Sequence, residues 1–253
     1  MRRPSGLGFL LVFGLFLATS ARGEQLVLGL DTGYGLPLPG PGKPVTDDMK
    51  GAVAVVAQAG FEARWEAVPI ERSFAMLKNG PANFCLPALF RTPEREKLGI
   101  FTDAYEEMPP AVVVSPAAKA EEIARHGSAA ALFADKGLTF IRLAGFSYGP
   151  YLDDKIRNSA GRVETIHSNS ADIPGMLLNG HGDFTLAWRG RALRVAEAHG
   201  YTASDFALTE MPDISDRQPL YFLCSRNITP EILARLNDGI RRHRASQDAA
   251  PAQ

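Results

Sequence analysis

The 253-residue chain contains few of the residues that hold metal ions or bind nucleic acid. It has 2 cysteines and 5 histidines, and their spacing matches no metal-ligand motif. Its 27 basic and 28 acidic residues give a net charge of −1, whereas nucleic-acid binding needs a basic excess on one face. We therefore expect no metal, no cofactor and no nucleic-acid partner.

Only one long apolar run is present, and it lies at the start of the chain. Arg2 and Arg3 precede the apolar segment from Leu7 to Ala18, and small residues follow it. This order is typical of a secretory signal peptide over residues 1–23, cleaved after Gly23. An uncleaved membrane anchor is the alternative, although the run is short for one. We therefore expect a periplasmic protein.

The two cysteines, Cys85 and Cys224, would then lie in an oxidising compartment, where two thiols of one chain can pair. We predict one disulfide between them. The alternative is two buried free thiols, because each cysteine lies in an apolar, strand-like run and unpaired cysteine is commonly buried.

Beyond the signal segment, the chain has the pattern of an α/β protein. Apolar residues make up 45% of the sequence, enough for one large or two small hydrophobic cores. Apolar runs rich in β-branched residues alternate with helical patterns that end at glycine. The predicted strands are 25–30, 61–68, 84–86, 139–143, 163–166, 184–187 and 221–224. The predicted helices are 49–59, 73–78, 120–134, 151–157, 172–178, 191–199 and 230–244.

Two such series predict two lobes, each a βα sheet, joined by two crossover connections with a cleft between them. We assign residues 24–110 and 217–245 to lobe 1, residues 111–216 to lobe 2, and residues 246–253 to a disordered tail. We interpret residues 111–114 as a connection, because prolines flank this segment and proline is rare inside a sheet.

The turns after the strands are expected to line the cleft, because open α/β sheets bind ligands outside the carboxyl ends of their strands. Arg95 lies in one of these turns, within Thr92-Pro93-Glu94-Arg95-Glu96-Lys97. Its five N–H donors can clamp a carboxylate, whereas a solvated surface turn is the alternative for this charged run. The candidate ligand-binding residues are Asp31, Tyr34, Phe90, Arg95, Ser147, Tyr148 and Trp188.

Five short segments, in a fixed order, give the chain a resemblance to a known family. They are Leu28-Gly29-Leu30-Asp31-Thr32-Gly33-Tyr34, Val68-Pro69-Ile70-Glu71-Arg72, the Arg95 turn with Phe101-Thr102, Gly145-Phe146-Ser147-Tyr148-Gly149, and Leu178-Asn179-Gly180-His181-Gly182-Asp183. Over residues 25–242 the chain resembles the type II periplasmic solute-binding proteins, specifically extracellular solute-binding protein family 3, which includes receptors for polar amino acids. The resemblance implies a two-lobed α/β fold that closes on a small solute.

The resemblance also implies roles for the candidate residues. Arg95 matches the arginine that holds the ligand carboxylate, and Ser147 matches a donor near a helix N-terminus. Asp31 and Tyr34 match first-lobe positions that touch the ligand or the facing lobe, and a turn-forming aspartate and cleft-edge packing are their alternatives. Trp188 stands where amino-acid receptors have a carboxylate for the ligand ammonium. It is expected either to stack on a ligand ring or cation, or to serve in packing.

We therefore expect a monomeric binding protein rather than an enzyme. It would close on a small anionic or zwitterionic solute and present the closed form to an inner-membrane ABC-type permease or a sensor. One alternative is an enzyme on the same fold, since the cyclohexadienyl dehydratases resemble these receptors. Another is a secreted sensory or accessory domain with little ligand binding of its own.

Overall fold

The computed structural model describes residues 24–31, 38–40, 45, 47–167 and 172–249, so the predicted signal segment and Tyr34 lie outside the described residues. The helices are α1 (Asp47–Gln58), α2 (Ile70–Asn79), α3 (Pro93–Glu96), α4 (Ala120–Ala124), α5 (Ala129–Ala134), α6 (Pro150–Arg157), α7 (Ile173–Leu178), α8 (Arg189–Ala198) and α9 (Pro230–Asp248). The strands are β1 (Gln25–Leu30), β2 (Glu62–Ala67), β3 (Phe84–Leu89), β4 (Ile100–Phe101), β5 (Glu106–Met108), β6 (Val112–Pro116), β7 (Thr139–Leu143), β8 (Arg162–Ile166), β9 (Thr185–Ala187), β10 (Phe206–Thr209) and β11 (Gln218–Cys224).

The predicted two-lobed α/β fold is confirmed, and lobe 1 is built on a six-stranded sheet. The strand order is β2-β1-β3-β11-β4, with β5 also paired to β11. Strands β1, β2 and β3 are parallel, whereas β11 runs antiparallel to its neighbours. The parallel strands need helical crossovers, which α1 and α2 supply. Because β11 follows lobe 2 in sequence, it returns the chain to the first sheet.

The predicted disulfide between Cys85 and Cys224 is confirmed. The two cysteines lie directly opposite each other in β3 and β11, and both are fully buried. They are 139 positions apart, so the loop that the bridge closes contains all of lobe 2. The disulfide therefore ties the returning strand to the sheet of lobe 1.

Lobe 2 contains two smaller sheets. Strands β10, β6 and β9 form an antiparallel sheet in that order, and β7 and β8 form a parallel pair. A parallel bridge between Phe140 and Phe184 links the pair to the segment just before β9. These two rings and that of Phe133 pack with their centroids 5.2 to 5.3 Å apart, so aromatic residues fill the centre of this lobe.

The interpretation of residues 111–114 as a connection is wrong for most of that segment. Val112–Pro116 forms β6, the middle strand of the three-stranded sheet. The prolines are compatible with this position because Pro109 and Pro110 precede the strand and Pro116 is its last residue. The interior of the strand therefore keeps the N–H groups that a central strand donates.

Two predicted helices differ from the structure by more than three residues, whereas the others differ by one to three residues at an end. The stretch 120–134 forms two short helices, α4 and α5, on either side of Gly127, whose φ of 69° is left-handed. Helix α9 continues to Asp248 because no glycine or proline follows Arg244 within it, so residues 246–248 are helical. The rest of the predicted tail, from residue 250, lies outside the described residues.

The exact division of the chain into lobes stays a prediction. Its two boundaries, at 110/111 and 216/217, fall between β5 and β6 and between β10 and β11. Within the described ranges, no helix combines the length and the apolar character needed to cross a membrane.

Candidate functional site

Arg95 lies in α3, the single-turn helix that follows β3 in lobe 1. Thr92 precedes this helix, and its hydroxyl accepts a hydrogen bond from the backbone N–H of Arg95 at 3.3 Å. Pro93 occupies the first helical position, where its lack of an N–H has no cost. The Arg95 residue is only 7% exposed, so this position is not the solvated side chain of a surface turn. Thr92 and Pro93 therefore fix the start of α3, and the guanidinium of Arg95 lies inside the protein.

The guanidinium of Arg95 contacts both lobes. Its Nη1 donates to the carbonyl of Phe90 at 2.8 Å, and its Nη2 donates to the carbonyl of Gly145, in lobe 2, at 3.0 Å. These bonds use two of the five N–H donors. Among the described residues, no carboxylate lies at ion-pair distance from Arg95. The side chain therefore has spare donors for an anion.

Burial lowers the pKa of Arg95 to about 10, while the charges of Asp153 and then Glu94 act in the opposite direction. The side chain is still a cation at neutral pH, in a position where water hydrates its charge poorly. A cation in such a place is stabilised by a paired anion that shares its hydrogen bonds.

The loop 145–149 brings lobe 2 against lobe 1. Gly145 has a left-handed φ of 76°, and a β-carbon at this position would lie 3.1 Å from a methyl carbon of Ile70 in lobe 1. On the side of lobe 2, Nη2 of Arg142 donates to the carbonyl of Phe146 at 2.6 Å and holds the loop in place. The two lobes are therefore in direct contact here, and the cleft is closed.

Ser147 lines the closed cleft, but its hydroxyl already has a partner. It donates to one carboxylate oxygen of Asp153, and the other oxygen accepts the backbone N–H of Tyr148 at 2.9 Å. Asp153 lies in the first turn of α6, so the helix holds the loop through its own carboxylate. To bind a ligand, the Ser147 hydroxyl would exchange this bond, and its predicted role stays a prediction.

Three aromatic candidates from both lobes pack together beside Arg95. The indole of Trp188, between β9 and α8, contacts the ring of Phe90 edge-on at a centroid distance of 5.6 Å. On its other side it stacks on Tyr148 at 6.1 Å, with the ring planes 23° apart. Tyr148 is buried, and burial raises its pKa to about 12. Trp188 therefore packs between rings of both lobes, and its role towards a ligand stays a prediction.

The cavity between Arg95 and the loop 145–149 has room of about 50 Å³. At roughly 10 to 15 Å³ for each water-sized group, it holds about three to five such groups. Its charged lining consists of Arg95 and Arg191, and none of the described residues that line it is acidic. The guanidinium carbon of Arg191 lies 5.8 Å from the centroid of Trp188. The cavity can therefore receive an anion, but its described lining offers no carboxylate to an ammonium group.

The structure brings four of the seven candidate residues to this cavity: Phe90, Arg95, Ser147 and Trp188. Tyr148 lies behind Trp188 and lines the neighbouring cavities. Asp31 is half-buried at the end of β1 and is not among the described residues that line the cavity, and Tyr34 lies outside the described residues. The ligand-binding roles of all seven stay predictions.

Sequence reasoning missed two groups of the site. Arg191 could have been predicted from the sequence, because it follows Trp188 by three positions at the start of a predicted helix. This spacing places the two residues on the same helical face. The carbonyl of Gly145 has none, because it meets Arg95 only when the two lobes come together. Among the described residues, no group of three His, Cys, Asp or Glu side chains is placed to hold a metal ion.

Comparison with known proteins gives one family and several similar folds. The model of the bacterial extracellular solute-binding proteins, family 3, matches residues 43–251. An ancestral arginine-binding protein bound to arginine is 18% identical, with a TM-score of 0.67, and the match covers 89% of this chain and 94% of that one. The arginine-, lysine-, histidine-binding protein ArtJ from Geobacillus stearothermophilus is 18% identical, with a TM-score of 0.66 and coverage of 89% and 91%.

A third similar structure is the ancestral amino acid-binding protein AncCDT-1, a precursor of cyclohexadienyl dehydratase. It is 16% identical, with a TM-score of 0.64 and coverage of 88% and 91%. Among curated proteins, no sequence matches this chain. At such identities the solved structures show a shared fold and do not fix a ligand.

Proposed function

The chain belongs to family 3 of the bacterial extracellular solute-binding proteins, and from this premise we propose that its lobes close on a small carboxylate that carries no ammonium group. One observation carries the proposal: the described lining of the Arg95 cavity contains two arginines and no acidic residue. A carboxylate would find donors there. Among the described lining residues, an ammonium group would meet two guanidinium groups and no carboxylate.

Arg95 is suited to hold the carboxylate. Its planar fork binds a carboxylate through two parallel N–H···O bonds, and three of its five donors have no partner among the described residues. Since Arg95 belongs to lobe 1 and Arg191 to lobe 2, an anion between them attracts both lobes. A ligand with more contacts in the closed form than in the open one shifts the equilibrium towards closure.

The same reasoning disfavours α-amino acids. An ammonium group one carbon away from the carboxylate would lie near both guanidinium groups, and like charges brought together in a cleft cost several kcal/mol. Trp188, whose indole packs against Phe90 and Tyr148, supplies no negative charge in compensation.

We extend the proposal to location and partner. The predicted signal segment would place the protein in the periplasm, where the closed form is the state that an ABC-type permease or a sensor recognises. Family membership supports this role.

A matched pair of ligands tests the proposal. Leucine is 4-methylpentanoate with an added α-ammonium group, so isothermal titration of the full mature protein with both compounds isolates the effect of that charge. We expect 4-methylpentanoate to bind at least about tenfold more tightly than leucine, and the neutral control 4-methylpentanol to bind more weakly than the carboxylate. Tighter binding of leucine would overturn the proposal.

Enzymatic activity is a separate outcome to measure. In the dehydratase alternative, a cleft carboxylate acts as acid or base, and the described lining of the Arg95 cavity has none. Formation of an aromatic product from prephenate or arogenate, followed by absorbance, would contradict a function limited to binding.

A further inference from the structure

A second cavity lies in lobe 2, next to the Arg95 cavity, and nearly all of its lining is apolar. It has room of about 40 Å³ between the antiparallel sheet and the helices α7 and α8. Its apolar walls include Val114, Ile173, Leu177, Leu186, Ala192 and Phe206. Thr185 is one of its few polar residues, and its hydroxyl already donates to the carbonyl of Ile141 at 2.7 Å. The cavity therefore suits an apolar group.

Small side chains leave this space open. Helix α8 turns Ala192 and Ala196 towards the cavity, and Ala187 lines it from the end of β9. The spacing of four residues puts both helix alanines on one face. Larger apolar residues at these positions would fill the space, and an unfilled volume in a core lowers stability. A cost of this kind is tolerated where a ligand fills the space.

Two side chains separate the two cavities. Trp188 and Arg191 line both of them, so the apolar cavity begins where the Arg95 cavity ends. The indole is held by ring contacts with Phe90 and Tyr148 and lies near the guanidinium of Arg191. Movement of the Trp188 and Arg191 side chains would join the two spaces. Their walls differ in character, because the Arg95 cavity contains both guanidinium groups, whereas the lobe 2 cavity has only that of Arg191 at its border and is otherwise almost wholly apolar.

We propose that the ligand is a monocarboxylate with an apolar tail, and that the tail occupies the lobe 2 cavity behind Trp188. This inference rests on the proposed function, because the head of the ligand is the carboxylate held by Arg95. The Arg95 cavity has room for the carboxylate and one or two carbons, and the apolar cavity holds roughly three further carbon groups. The two together fit a short-chain to medium-chain acid of about five or six carbons.

A chain-length series tests the inference on the full mature protein. Titration calorimetry with acetate, butyrate, hexanoate, octanoate and decanoate measures the dissociation constant as the tail grows. We expect the affinity to rise about fourfold for each buried methylene up to hexanoate, and to stop rising beyond hexanoate. The plateau follows from the limited room behind Trp188.

Two variants assign the tail to this cavity. Ala192→Leu fills it, and Ala198→Leu is the matched control because Ala198 is exposed on the same helix. We expect Ala192→Leu to weaken hexanoate binding at least about tenfold while acetate binding changes less than about twofold. The control should change neither. If circular dichroism shows that Ala192→Leu does not fold, Leu208→Ala tests the opposite change in cavity size. It enlarges the cavity and should shift the affinity plateau to a longer acid.

The outcomes separate this inference from the proposed function. Acetate binding with no gain along the series overturns the tail site and leaves the carboxylate site standing. A gain that persists unchanged in Ala192→Leu, or a plateau that stays at the same length in Leu208→Ala, places the tail elsewhere and also overturns the inference. If no acid of the series binds, both the inference and the proposed function fail.

Discussion

The two lobes differ in how their parts are tied together. Lobe 1 has one continuous sheet of six strands, and a buried disulfide joins two of them. Lobe 2 has two smaller sheets linked by a single bridge, and it contains the apolar cavity between its sheet and its helices. The cation held in the cleft, Arg95, belongs to lobe 1, whereas the apolar cavity belongs to lobe 2. We infer a division in which lobe 1 is the firmer unit and provides the anchor, whereas lobe 2 provides the apolar space.

Removal of the disulfide should have the largest effect on this comparison. In the chain-entropy model, opening a loop of this length costs about 5 kcal/mol of unfolding free energy. We therefore expect the double variant Cys85→Ala/Cys224→Ala to unfold at a much lower urea concentration. The chain has 2 tryptophans, Trp65 in lobe 1 and Trp188 in lobe 2. The fluorescence of a Trp188→Phe background comes from Trp65 and reports on lobe 1, whereas that of a Trp65→Phe background comes from Trp188 and reports on lobe 2.

We expect the signal of Trp65 to move to lower urea at least as far as that of Trp188. Reduction of the otherwise unchanged protein should reproduce the result. A loss below about 1 kcal/mol would show that the bridge is not what makes lobe 1 the firmer unit.

A change in the loop of lobe 2 should have an intermediate effect. Asp153→Ala removes the acceptor of the Ser147 hydroxyl and of the Tyr148 backbone N–H. Because buried donors without a partner are unfavourable, we expect the unfolding free energy to fall by about 2 kcal/mol. The matched control is the adjacent Asp154→Ala, whose carboxylate pairs with Lys155 and Arg157 at the surface. Pairs of that kind contribute little, so the control should change the urea midpoint only slightly. Equal effects of the two variants would remove Asp153 as the support of the loop.

The smallest expected effect is a pH dependence of opposite sign in the two lobes. In lobe 2, the hydrogen bond to Asp135 at 3.0 Å raises the pKa of His126. This histidine therefore stabilises the fold below its unfolded pKa of about 6.5, and the contribution is lost as the pH rises through the folded pKa. In lobe 1, burial lowers the pKa of His243, so stability is lost as the pH falls below about 6.5.

Melting temperatures between pH 5.0 and 7.5 measure both contributions. His126→Gln should make acidification more destabilising, whereas His243→Leu should make it less so. If both variants follow the pH profile of the unchanged protein, neither histidine contributes as described.

Local signals in the sequence were sufficient for much of the fold. Thr229 and Pro230 mark the start of α9, and the structure shows Thr229 accepting the N–H of Ile232 at 3.2 Å. Strand β1 matches its prediction because its run of apolar residues is buried. Strand β6 was missed because its flanking prolines resemble those of a connection. The four residues of β10 were missed because they are too few to show a periodic pattern.

The candidate site was predictable only in part, for a related reason. Arg95 was identified because it lies in a turn that follows a predicted strand. The partners that give Arg95 its environment come from positions distant in sequence: the carbonyl of Gly145 is 50 residues away and Arg191 is on another lobe. Such contacts depend on lobe closure, which no local pattern encodes.

The central claim is that Arg95 anchors an anion between the lobes, and titration calorimetry of its variants with 4-methylpentanoate tests it most directly. Arg91→Ala is the matched control, since Arg91 is an exposed arginine of the same segment that pairs with Glu96 at 2.6 Å. We expect Arg95→Ala to fold but to lose more than about 100-fold in affinity, Arg95→Lys to lose less because it keeps the charge without the fork, and Arg91→Ala to bind normally. Affinity of Arg95→Ala within about threefold of the unchanged protein would contradict the claim.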